Sequence, residues 1–104
     1  AGLHSPPIFV VTTALGGRKW VWAAFSSRER AADFLLRWQA GVETFIEAWP
    51  VRGEYTFPEP VFVADRYLRG DGSLVSGSLH ATQQSAKREA GDDGEVRELV
   101  VDAR

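Results

Sequence analysis

Cysteine and methionine are absent from this 104-residue chain, and histidine occurs only at His4 and His80. Without cysteine there are no disulfides, thiolate metal sites or cysteine nucleophiles. Two imidazoles are too few for a histidine-rich metal centre. No run approaches the roughly 18 apolar residues of a membrane span, and no signal-peptide core opens the chain. With no methionine, the expectation is a removed start residue or a beginning inside a longer protein, and the cytoplasm is the default compartment. Neither charge sign dominates. Twelve Lys and Arg face 14 Asp and Glu, a net charge of −2 with a pI near 5.6. No global field therefore recruits nucleic acid or anionic membrane, although a local basic patch remains open.

What is present is ordinary for a globular domain. Apolar residues make up 44% and charged residues 25%, which argues against a mainly disordered chain. The length fits one domain, spanning 1–104, with room for a real core.

Ile8 to Leu15 (IFVVTTAL) has the β-branched and aromatic composition of a strand. Gly16-Gly17 then signals a hairpin, because glycine takes the positive φ angles of tight turns without steric cost. Lys19 to Phe25 resumes as a second strand. Ser26 and Glu29 have the spacing of a capping box, which predicts a helix N-terminus at Ser26. Beyond it Ala31, Ala32, Phe34, Leu35 and Trp38 share one arc, with Glu29, Arg30, Asp33 and Arg37 opposite. Gly41 supplies the stop. A third strand, Thr44 to Val51, carries Pro50, which cannot donate to a ladder and so marks an edge or a bulge.

The pattern then recurs. Val61 to Leu68 opens as Ile8 to Leu15 did, Arg69 to Ser73 (RGDGS) is a turn, and Leu74 to Leu79 is a strand. Thr82 to Ala90 is a short helix, and Glu95 to Asp102 is a final strand. Phe9 falls on Phe62, Leu15 on Leu68, Phe25 on Leu79, Ala32 on Ala86 and Glu47 on Glu98, a period of about 53 residues. The expected fold is α+β. Tandem pseudo-duplicated β-β-α-β units, about 8–52 and 61–104 with a linker over 53–60, form a mainly antiparallel sheet with two helices on one face. The second helix has only Ala86 and Ala90 to bury, so it is the more easily displaced.

The run WAAFSSRERAADFLL, Trp22 to Leu36, is a strand ending in Phe25-Ser26-Ser27, followed by Arg28-Glu29-x-Ala31 and a helix. It resembles the half-repeat of SPOR domains, small bacterial modules that bind peptidoglycan glycan strands denuded of stem peptides. It looks equally like small bacterial and phage domains of unknown function that begin with a hairpin and turn into a helix at such a step. The SPOR order is β-α-β-β-α-β, whereas this chain has an additional strand before each half. Its second copy, GSLHATQQSA, lacks the F-S-S. The hairpin-first order fits better.

Four tryptophans are many for this length. Trp20 and Trp22 lie two apart and share a strand face. If Val21, Ala23 and Phe25 meet the helices, the two indoles lie partly exposed beside Arg18 and Lys19, suited to stacking on a base, a sugar or a partner. The alternative is that both are core. Arg66 and Arg69, with Arg52, extend the basic set. Gly16-Gly17-Arg18-Lys19 lacks the spacing of a phosphate loop, Arg69-Gly70-Asp71 reads as turn chemistry, and Asp92-Asp93-Gly94-Glu95 lacks a calcium ligand ladder. His80 sits at a strand-to-helix step with no nucleophile placed by spacing.

These signals predict a non-catalytic binding module with a protein partner or a homo-oligomeric state, no catalytic residue, no cofactor and no metal. The alternatives are a small enzyme using His80, and nucleic-acid or SPOR-like glycan binding through the Trp20/Trp22 face. The net negative charge counts against nucleic acid.

Overall fold

The computed structural model describes residues 7–15, 18–38, 43–67 and 74–102. Gly16-Gly17, Gly41, His4 and the turn expected over Arg69–Ser73 fall outside them. In chain order the elements are β1 (Ile8–Leu15), β2 (Arg18–Phe25), α1 (Arg28–Arg37), β3 (Thr44–Trp49), β4 (Val51–Arg52), β5 (Val61–Tyr67), β6 (Leu74–His80), α2 (Gln83–Ala90) and β7 (Glu95–Leu99). The α+β class holds.

Instead of the single sheet expected from the sequence, there are two, ordered β2-β1-β3 and β4-β6-β5-β7. Each helix covers its own sheet. The reason is in the strands, which are apolar on both faces. Ile8 and Val10 of β1 meet Val61 and Val63 of β5 in a core between the sheets, joined by Val21, Ala24, Leu79 and Val101. The alternate residues Phe9 and Val11 turn outward to α1 with Phe25 and Ala31. Phe62 and Ala64 turn outward to Ala86 and Ala90 of α2. A strand with two apolar faces needs two covers, so the layers run helix, sheet, sheet, helix.

Pro50 marks the point where the chain changes sheets. β3 pairs antiparallel with β1 up to Trp49 opposite Ile8, and β4 then pairs parallel with β6, Val51 level with Leu79. A residue without an amide hydrogen suits a place where one ladder is abandoned for another. The stretch after β4 is more than a spacer, because Tyr55 is buried in the inter-sheet core and donates its hydroxyl to the Glu59 carbonyl at 2.7 Å.

Two local expectations shift by a residue or more. Ser27, not Ser26, caps α1, its side chain accepting from the Arg30 amide at 3.2 Å. Ser26 is instead engaged by Asp102. The last strand ends at Leu99, and Val101-Asp102 turns back so that the Asp102 amide donates to the Ala24 carbonyl at 2.9 Å.

Both hairpins carry a one-residue bulge at the same rung. The β1–β2 register shifts between Val11 and Thr12, and the β5–β6 register between Ala64 and Asp65, leaving Trp22 and Gly77 as the extra residues. The rungs set Phe25, opposite Phe9, level with His80, opposite Phe62; they set Glu47 level with Arg97.

Candidate functional site

The bulge decides what the tryptophans do. A strand alternates faces only while its register is unbroken. Val21 faces the inter-sheet core, but Ala23 and Phe25, on the far side of the bulge, pack toward α1. Trp22 stays 46% exposed, its indole donating to Thr13 Oγ1 at 2.8 Å. Trp20 is half-buried beneath the Arg97 guanidinium, 3.9 Å from ring centroid to Cζ. The two indoles meet edge-on at 6.2 Å rather than offering one flat platform.

From Trp22 a row of rings continues along α1. Trp22 lies 5.4 Å from Trp38, Trp38 lies 5.4 Å from Phe34, and Phe34 lies 5.2 Å from Phe25. The last three floor an open groove of about 550 Å³. Its rim is charged. Glu29, Arg30, Asp33 and Arg37 line it from the helix, and Asp102 closes it from the far end of the chain. Positions 29, 30, 33, 34, 37 and 38 form one stripe over the length of α1, because residues three and four apart are neighbours on a helix.

Asp102 is held firmly in that wall. Its carboxylate accepts from the Ser26 amide at 2.8 Å and the Ser26 hydroxyl at 2.6 Å, with Arg30 Nε at 3.8 Å. Its φ of 64° lies in the left-handed region, which aspartate tolerates better than most residues. On the rim Arg37 pairs with Asp33 at 3.1 Å. Among the described residues Glu29 has no ion pair or hydrogen bond from its side chain.

Lys19, Arg52 and Arg66, three of the basic residues singled out in the sequence, are each engaged with a carboxylate. Lys19 donates to Glu47 at 2.8 Å, and Thr12 and Trp49 donate to the same carboxylate. Burial would raise the Glu47 pKa, but these donors outweigh it and hold the group below its ordinary value. Arg66 binds Glu89 through both its side chain, at 3.2 Å, and its main-chain carbonyl, at 2.8 Å. Arg52 reaches the same carboxylate at 3.4 Å. Arg18 begins β2, and Arg69 lies outside the described residues. Of the candidates whose side chains are described, Lys19 and Arg66 are held by different carboxylates, Glu47 and Glu89, while Trp20 and Trp22 meet edge-on.

His80 is a core residue, 2% exposed. Nε2 is 2.7 Å from Ser78 Oγ, and Nδ1 is 2.7 Å from Ser85 Oγ. Burial, with the Arg52 charge in support, lowers its pKa against the opposing pull of Glu89. With both ring nitrogens occupied by hydroxyls and the ring out of solvent, the geometry gives it a packing and helix-docking role.

Sequence reasoning missed a second buried cluster, which joins the two sheets. Asp65, fully buried, accepts from Arg97 Nε at 2.6 Å and Nη2 at 3.2 Å, and from Ser76 Oγ at 2.9 Å. The Val21 amide donates across to Ser76 Oγ at 3.0 Å. The available signal was an aspartate inside an apolar strand, which must find a partner. The groove had a weaker signal, the Phe34–Trp38 pair on a helix edged with charge.

No group of three His, Asp or Glu among the described residues could hold a metal, and no helix there is long and apolar enough to cross a membrane. Compared with known families, curated proteins and solved structures, the chain has no match.

Proposed function

We propose that this chain is a non-catalytic binding module that takes an apolar segment of a partner protein in the groove beside α1. The carrying observation is the groove floor, where the rings of Phe34 and Trp38 lie tilted against one another over the buried Phe25 and line an open groove. Clustered aromatic area that a fold leaves reachable is what protein interfaces use as anchors.

Charge supports a peptide over a nucleic acid. Three carboxylates and two guanidiniums line the rim, and a phosphate backbone would meet net repulsion there. Lys19, Arg52 and Arg66 are held by carboxylates elsewhere. Arg97 lies over Trp20, which weakens the case for glycan stacking on the Trp20/Trp22 face. Burial of His80 weakens the enzyme reading.

The test is selection of a phage-displayed random peptide library on the whole chain, followed by NMR titration of the Trp38 indole resonance. Apolar peptides should shift that resonance saturably. Binding should fall at least tenfold in Trp38→Leu, which keeps an apolar side chain in the floor. Peptides that bind Trp38→Leu equally well would sink the reading. So would movement of the indole only by chitohexaose or single-stranded DNA.

A further inference from the structure

The groove has a direction as well as a floor, and its two ends differ in chemistry. At the α1 N-terminal end Arg30 faces Asp102 at 3.8 Å, and toward the C-terminal end Arg37 is bound to Asp33 at 3.1 Å. Asp102 is also saturated by the Ser26 amide and hydroxyl. Each guanidinium thus has a carboxylate, and one carboxylate, Glu29, is left over at the N-terminal end. The apolar end is built by Phe34 and Trp38, with Trp22 against it.

Resting on the peptide-binding reading, we infer that the occupant is an extended basic–apolar segment, whose Lys or Arg pairs with Glu29 while an aliphatic or aromatic side chain sits on Phe34 and Trp38. Charge complementarity selects this chemistry. A cation adjacent to Glu29 neutralises the one uncompensated rim charge, whereas an acidic residue there would add a fourth carboxylate.

The spacing follows from the helix. Glu29 and Phe34 are five residues apart, about 7.5 Å along the axis, and Glu29 and Trp38 nine apart, about 13.5 Å. An extended chain advances about 3.3 Å per residue. The cation and the anchor are therefore two to four residues apart in the partner. Nothing in the groove fixes its chain direction, so both orders enter the test.

The probes are Ac-Lys-Ala-Ala-Leu-amide, the reversed Ac-Leu-Ala-Ala-Lys-amide, and the same two peptides with Glu in place of Lys. They are titrated into the whole chain at low ionic strength while the Trp38 indole resonance is followed. An exposed ion pair exchanged for a repulsion changes affinity by roughly three- to tenfold. At least one basic peptide should bind that much more tightly than its acidic counterpart. Glu29→Gln should abolish the preference, and Glu29→Lys should invert it. Equal binding of basic and acidic peptides, or a preference unchanged in Glu29→Lys, overturns the assignment of Glu29 while the groove itself still binds peptide. Absence of any indole shift with all four peptides overturns the inference and, if the selected peptides also fail, the peptide-binding reading beneath it.

Discussion

At the scale of single residues, the buried imidazole of His80 couples stability to pH. Its pKa lies below the ordinary 6.5 because burial disfavours the imidazolium, with Arg52 adding to the effect and Glu89 opposing it. The unfolded chain therefore takes up the proton more readily than the folded one. The stability that depends on neutral His80 is complete above about pH 6.5 and is lost as the pH falls toward the folded-state value. Urea midpoints should drop between pH 7.5 and pH 5.5. In His80→Gln that drop should be markedly smaller, with a loss of about 1 kcal/mol at pH 7.5 from the weakened bonds to Ser78 and Ser85. An identical pH profile in wild type and variant would contradict this assignment. A buried, doubly hydrogen-bonded imidazole was not legible from position alone, since Ser85 reaches it only because α2 folds back over β6.

At the scale of elements, the strands and helices were legible where composition and periodicity act locally, and so was the small apolar face of α2, with Ala86 and Ala90 buried. Two things were not legible. A single extra residue at Trp22 inverts side-chain parity along β2, so the face assigned to Val21, Ala23 and Phe25 is divided between two cores. Helix capping moved from Ser26 to Ser27 because Asp102, 76 residues away, takes the first serine. Alanine on alanine also lets α2 lie close to β5, which makes Gly94 critical. A Cβ there would collide with the carbonyls of Ala90 and Asp65, both main-chain atoms that cannot rotate away. Gly94→Ala should therefore cost roughly 1–3 kcal/mol, the overpacking range, as read from a urea denaturation midpoint. Gly91→Ala is a useful comparison: its φ of 75° makes alanine unfavourable, but its Cβ would meet no neighbour. A smaller loss at Gly94 than at Gly91 would show that α2 can shift outward.

At the scale of the whole molecule, the inter-sheet core and the Asp65–Arg97–Ser76 cluster make the two β-β-α-β runs depend on one another. The α+β class could be read from element order, but its division into two stacked sheets could not. The sequence pattern gives each strand two apolar faces without saying which neighbour covers which. Replacing Asp65 by alanine strands the Arg97 guanidinium and Ser76, and should cost about 3 kcal/mol. That is a large share of a domain's net stability. Because Ile8 and Val10 share a core with Val61 and Val63, the loss should fall on both runs together. Amide signals of β1 and β5 should disappear at the same urea concentration in Asp65→Ala, as in the wild type. Separate transitions for the two strands would show that each run is its own folding unit. The Asp102 clasp has a consequence for lineage. The groove floor comes from one run and its end wall from the other, so neither run alone encloses the groove. Gene fission, domain shuffling or transplantation of one run would move part of the scaffold and leave the groove incomplete.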